Sequence, residues 1–208
     1  MNIISEAYYD ALITEIRDKN SDSQRIRDNL FALGQKVGTV IAGELLTEQR
    51  EVRTPMNCRH VGLSFAKRRT VIVSTKDDYQ YFANGIAGVI RDSARGYMDF
   101  DGVRGLRALV QPVRSISLPV VNNVNCVIIA KSVLATGCTA ISLTKKSIEQ
   151  YNPRHVVIAT VFYSEDGVYE LLDSIATAEI YAYSEPDSLD PDGMLIPGIG
   201  NLDERLNH

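Results

Sequence analysis

Three stretches of this chain are apolar almost from end to end: Thr70–Ser74 (TVIVS), Val124–Ala130 (VNCVIIA) and His155–Phe162 (HVVIATVF). A strand with one wet face alternates polar and apolar residues. A strand that is apolar throughout is covered on both faces. Helical patterns separate and follow these strands, over Asp78–Arg91, from the turn after Ala130 to Gln150, and over Glu165–Ser174 with Ser164 as its cap. Glu179–Tyr183 supplies a further strand, and Gly96–Phe100 a short one. Apolar strands alternating with helices predict an α/β fold, a mostly parallel sheet with helices on both faces. At 208 residues the chain makes one such domain, not two.

The flanks carry other signals. Glu6–Arg17 predicts a short helix. Ser21-x-x-Gln24 reads as a capping box that opens a longer one, with Ile26, Leu30, Leu33, Val37, Val40 and Ile41 on a single face. From Glu51 to Phe65 the pattern is partly alternating and is broken by Pro55, Asn57 and Gly62, which predicts a β-arm or hairpin. Leu106–Val121 interrupts the strand–helix rhythm as a hairpin or loop.

Several functional classes are disfavoured. A net charge of −4 gives no general attraction to nucleic acid or anionic lipid, and the basic run Lys67–Arg69 reads as a solvated turn. No apolar run approaches a membrane span, and Glu6 and Asp10 interrupt any signal-peptide core. Cys58, Cys126 and Cys138 have no C-x-x-C spacing, and His60, His155 and His208 stand in no ligand-like spacing with them. The expectation is a reduced cytoplasmic protein that binds neither nucleic acid nor membrane and has no protein-held metal.

Two segments carry chemistry. After the strand Val124–Ala130 comes the small-residue turn Leu134-Ala135-Thr136-Gly137-Cys138-Thr139, then a helix. In an open parallel sheet, ligands bind beyond the carboxyl ends of the strands. A turn there, with backbone N–H groups converging at a helix N-terminus, suits a phosphate; tight packing alone would use the same residues. The second segment, DGMLIPGIGNLDERL at 192–206, has three glycines and a proline within eight residues and is apolar between them. It reads as a rigid loop that offers backbone groups to a flat ligand, or as a structural clamp.

Together the two segments resemble the uracil phosphoribosyltransferase family. That family carries Asp-Pro-Met-Leu-Ala-Thr-Gly-Gly at the end of a strand, where this chain has Lys131-Ser132-Val133-Leu134-Ala135-Thr136-Gly137-Cys138. Near its C-terminus it carries Gly-Tyr-Ile-(Ile/Val)-Pro-Gly-(Leu/Phe)-Gly-Asp, where this chain has Gly193 to Asn201, GMLIPGIGN. The resemblance implies a Rossmann-like type I phosphoribosyltransferase fold over 1–208, with a hood from about 1–20 and 184–208 and a β-arm at about 51–66. It implies a homodimer, with the helix after Ser21 and the arm as contact elements. The implied activity is transfer of phosphoribosyl from 5-phosphoribosyl pyrophosphate (PRPP) to uracil, giving UMP and pyrophosphate, with magnesium on the donor. Ala135, Thr136, Gly137, Cys138 and Thr139 would hold the 5′-phosphate, and backbone groups of Leu195, Gly200 and Leu202 would read the uracil edge.

The departures all fall on the donor and base sides. Lys131 and Asn201 occupy acidic positions of the family, Met194 replaces an aromatic residue, and the Arg-Ala-Gly pyrophosphate loop gives way to STKDDYQYFANG at 74–85. A cation where a carboxylate should face developing positive charge opposes catalysis. The alternative expectation is therefore a catalytically degenerate binder of a pyrimidine nucleotide, acting as a sensor or partner subunit.

Overall fold

A computed structural model describes residues 1–100 and 113–206. In chain order the elements are β1 (Asn2–Ile4), α1 (Ala7–Arg17), α2 (Ser23–Leu45), β2 (Thr47–Arg53), β3 (Arg59–Phe65), β4 (Thr70–Thr75), α3 (Lys76–Tyr79), α4 (Phe82–Val89), β5 (Ala94–Phe100) and β6 (Val113–Ser117). There follow β7 (Cys126–Ala130), β8 (Val133–Leu134), α5 (Cys138–Tyr151), β9 (His155–Ala159), β10 (Phe162–Tyr163), α6 (Glu165–Ser174), β11 (Ala178–Tyr183), β12 (Ser188–Leu189), β13 (Leu195–Ile196) and α7 (Leu202–Leu206).

The main sheet runs β1-β11-β9-β7-β4-β5-β6, parallel except for β6. Strand β7 is its middle member, and every residue of β4 and β7 is buried. Register explains the two-sided burial. Val71, Val127 and Val156 lie in one cross-strand row, and Ile72, Ile128 and Val157 in the next. Successive rows point to opposite faces. The first row joins a core with Ile141 and Leu143 of α5 and Leu171 of α6. The second joins Ile16, Leu30, Leu33, Ile86 and Leu206, from α1, α2, α4 and α7.

On that second face α2 and α4 cross at backbone contact. A Cβ on Gly34 would stand 2.2 Å from Phe82 O, and one on Gly85 would stand 2.1 Å from Phe31 O. Only glycine permits the crossing. Strands β2 and β3 pair antiparallel over 47–65, with Val61, Leu63 and Phe65 on one exposed side.

Two local expectations are corrected. The cap of α2 is Asp22, whose carboxylate accepts from Arg25 N at 2.8 Å. Ser21 instead donates its hydroxyl to Glu15 O at 2.6 Å, tying the turn back to α1. The helix expected over 78–91 is two helices, broken at Gln80 and Tyr81, and Asp78 in the first is buried against Lys131 and Ser132, just past β7. The edge strand β1, too short to carry a pattern, pairs parallel with β11. Of the stretch 106–121, residues up to 112 lie outside the described residues.

Candidate functional site

The carboxyl ends of β4 and β7 open into a cavity of about 240 Å³. Ala135, Thr136, Gly137, Cys138 and Thr139 line it together with Leu195, Gly200 and Leu202. Lys131 lies on its wall with Thr75, Asp77, Phe100 and Asp203. All eight residues expected to contact ligand thus share one cavity, although the two segments are far apart in sequence.

The small-residue loop is fastened from behind. Ser164 donates its hydroxyl to Ala135 O at 2.6 Å and its N–H to Leu134 O at 3.1 Å, while the hydroxyl accepts from Gly167 N at 2.9 Å. Gly137 caps α5 in the left-handed region, at φ 77°, and a Cβ there would stand 2.7 Å from Gly167 O. The carbonyl of Ala135 is therefore turned toward α6. The N–H groups of Ala135, Thr136 and Gly137 meet no acceptor among the described residues. Free amides ahead of a helix N-terminus form a concavity for an anion.

Lys131 is not a loose cation. Its Nζ donates to Asp78 Oδ2 at 2.9 Å, and the Asp78 side chain is 1% exposed. Asp78 also accepts from Thr75 Oγ1 at 3.0 Å, from Ser132 N at 3.3 Å and from the Ser132 hydroxyl. Burial works to lower the Lys131 pKa, but Asp78, with Asp203 and Asp77 beyond it, outweighs burial and the net shift is upward. The ammonium stays charged and is neutralised in place.

A second pair forms on the cavity lining. The Asp77 carboxyl is pushed up to about 6, first by burial and then by the Asp203 carboxylate, to which it is hydrogen-bonded; Lys131 opposes the shift. A carboxyl in that range can take up and release a proton near neutrality. The acids of 74–85 were visible in the sequence. Their division into a buried partner for Lys131 and a proton-sharing partner for Asp203 was not, because neighbouring acids in a helix normally face water. Asp203 carried no signal at all, reading as part of a short polar helix.

Opposite the phosphate-type loop, β12 and β13 form a small antiparallel hairpin. Asp190 Oδ1 closes its turn by accepting from Asp192 N at 2.9 Å and Met194 N at 2.8 Å. The chain then passes through Gly198 and Gly200, both at positive φ, into α7. Asn201 donates its Nδ2 to Glu204 Oε1 at 2.6 Å. Among the described residues no group of three or more His, Cys, Asp or Glu side chains gathers as a metal site. An ammonium at 131 and two carboxyls already hydrogen-bonded to each other do not fit a protein-held magnesium. No helix among the described residues is long and apolar enough to cross a membrane.

Comparison with known proteins agrees with this geometry. The family model for uracil phosphoribosyltransferase matches residues 3–207. A uracil phosphoribosyltransferase of Natronomonas pharaonis is 28% identical, the match covering 98% of this chain and 94% of that protein. One from Thermococcus gammatolerans is 26% identical over 93% of this chain and 86% of its own length. Among solved structures, the AQ2163 protein from Aquifex aeolicus matches the fold with a TM-score of 0.81 at 19% identity, covering 98% of this chain and 96% of that one.

Proposed function

The chain belongs to the uracil phosphoribosyltransferase family, and we propose that it carries out phosphoribosyl transfer from PRPP to uracil, giving UMP and pyrophosphate. The observation that carries this reading is the convergence of the 135–139 loop and the 195–202 loop on one cavity. The amides of Ala135–Thr139 and the N-terminal end of α5 hold the 5′-phosphate. Backbone groups of Leu195, Gly200 and Leu202 hold the flat edge of the base above it.

In the transfer, uracil N1 bonds to C1′ of the ribose as the bond from C1′ to the pyrophosphate oxygen breaks. The bonding electrons leave with pyrophosphate, and the N1 proton passes to solvent. Positive charge grows on C1′ between the two events. Holding base and donor in line accounts for much of the rate in such a site. Asp77 and Asp203, both lining the cavity, present negative charge toward it. Lys131, already neutralised by Asp78, does not oppose it. That pairing removes the main support for a degenerate binder. Magnesium enters as part of the donor, on its pyrophosphate, and is counted as substrate.

The domain is one phosphoribosyltransferase-like unit, with a hood from the chain ends and the 47–65 hairpin as its β-arm. Two copies pair as a homodimer, chiefly through the exposed apolar side of that arm, since α2 uses its apolar stripe within the chain. The unpaired cysteines agree with a cytoplasmic setting.

The test is UMP formation from uracil and magnesium PRPP. Turnover on the order of 1 s⁻¹ or faster is expected. A protein that binds UMP tightly yet forms none would return the degenerate reading.

A further inference from the structure

The end of α1 reaches across the molecule to the base-side loop. Arg17, the last residue of α1, donates Nη2 to Asp187 Oδ1 at 2.8 Å and Nη1 to Asp187 Oδ2 at 2.9 Å. The same Nη1 donates to Gly198 O at 3.0 Å, and Asp187 Oδ2 accepts from Gly198 N at 3.2 Å. Both polar groups of Gly198 are therefore held by one ion pair. The pair is itself fixed: Asp187 N donates to Tyr163 O at 2.7 Å, the Asp187 side chain is 4% exposed, and the Arg17 guanidinium lies 4.9 Å from the Phe162 ring centroid. A second arginine takes the next carbonyl. Arg205 donates Nη1 to Ile199 O at 3.0 Å and Nη2 to Asp18 O at 2.6 Å, just beyond Arg17.

Two consecutive carbonyls, of Gly198 and Ile199, are thus occupied by arginines anchored at the end of α1 and cannot turn toward the cavity. Gly198 has a φ of 57°, and a Cβ there would stand 2.1 Å from Leu195 O, so no side chain at 198 can help to fix this peptide. Ile199 and Leu202 anchor the loop in the core, and the orientation of the Gly198 peptide within it depends on these bonds. A bidentate guanidinium–carboxylate pair fixes orientation as well as distance.

We infer that Arg17 and Asp187 are positioning residues that set base specificity, by fixing which backbone groups of the 198–202 loop face the ligand. The inference rests on the reading that this loop holds the base. Neither residue lines the cavity, and they act only through the Gly198 peptide.

The test uses Arg17→Lys and the isosteric Asp187→Asn. A lysine keeps the charge but cannot serve both Asp187 oxygens and Gly198 O together. In steady-state kinetics the KM for uracil is expected to rise roughly tenfold or more, with the KM for PRPP within twofold of wild type, and preference for uracil over cytosine is expected to fall. In calorimetry, the affinity of UMP relative to ribose 5-phosphate should fall in step, since only the base contribution is lost. Unchanged values in folded variants, an equal loss of both substrates, or a collapse of melting temperature in both variants overturns the inference and leaves a purely structural pair. Wild-type protein that binds UMP no better than ribose 5-phosphate overturns the base-loop reading itself, and this inference with it.

Discussion

Lys131 Nζ lies 2.9 Å from Asp78 Oδ2, and this contact joins the end of β7 to the first turn after β4. An ammonium that looked hostile to the reaction is one half of a buried pair whose other half the sequence also supplies.

Removing the lysine alone should be far worse than removing both. Lys131→Ala strands the buried Asp78 carboxylate and is expected to cost about 3–5 kcal/mol, whereas Asp78→Leu with Lys131→Leu should recover most of that loss. Denaturant unfolding of the wild type and both variants measures the difference. Equal destabilisation would show that an unpaired buried charge is not the source of the loss.

Gly137→Ala should weaken phosphate-bearing ligands and leave the fold in place. The new methyl meets Gly167 O at 2.7 Å with φ at 77°, so the loop must shift its amides. A loss of tenfold or more in UMP affinity is expected, the range of one or two charged hydrogen bonds. Affinity for free uracil should hold, and calorimetry with both ligands distinguishes a displaced loop from a damaged cavity.

Asp77 makes the molecule less stable as pH rises. Its folded pKa of about 6 lies above its unfolded value of 3.8. The stabilising contribution is therefore complete below about pH 4 and is lost as pH climbs through 6. Asp77→Asn removes the titration. At pH 7.5 the variant is expected to melt about 2–4 °C above wild type, the shift that 1 kcal/mol gives a chain of this size. At pH 4 the two should melt together, and a gain of the same size at both would sink the assignment.

The crossing of α2 and α4 has no room for a methyl group. Gly85→Ala should cost roughly 1–3 kcal/mol through overpacking, although alanine is the better helix former. A variant as stable as wild type would mean that the two helices separate at no cost.

Light scattering at micromolar concentration should give a dimer mass. Leu63→Glu, placed on the exposed apolar side of the 47–65 hairpin, is expected to shift it toward monomer without lowering the melting temperature of the dilute chain. A wild-type monomer mass removes the dimer.

Much of the fold was legible because its signals are local. The apolar runs of β4, β7 and β9 announced a sheet covered on both faces, and Ser164 announced its helix. The two segments that line the cavity were legible from glycine and small-residue spacing. Asp78 was not, since a buried carboxylate and a solvated one look alike in sequence until their donors are known. Nor was the role of Arg17, whose partners lie 170 and 181 residues away. The capping box failed for a similar reason: Ser21 had a competing acceptor in Glu15 O, and Asp22 took its place.

The pairing of β1 with β11, together with the hold of α1 on Gly198, fixes an order of events during synthesis. The 135–139 loop and its fastening by Ser164 and Gly167 can be in place while later residues are still being made. Strand β1, however, has no neighbour until residue 183 emerges from the ribosome, and Arg17 has no carbonyl to grip until residue 198 follows. Contacts of such long separation form late. A nascent chain can thus fasten the 135–139 loop to α6 well before Gly198 is made and gripped by Arg17.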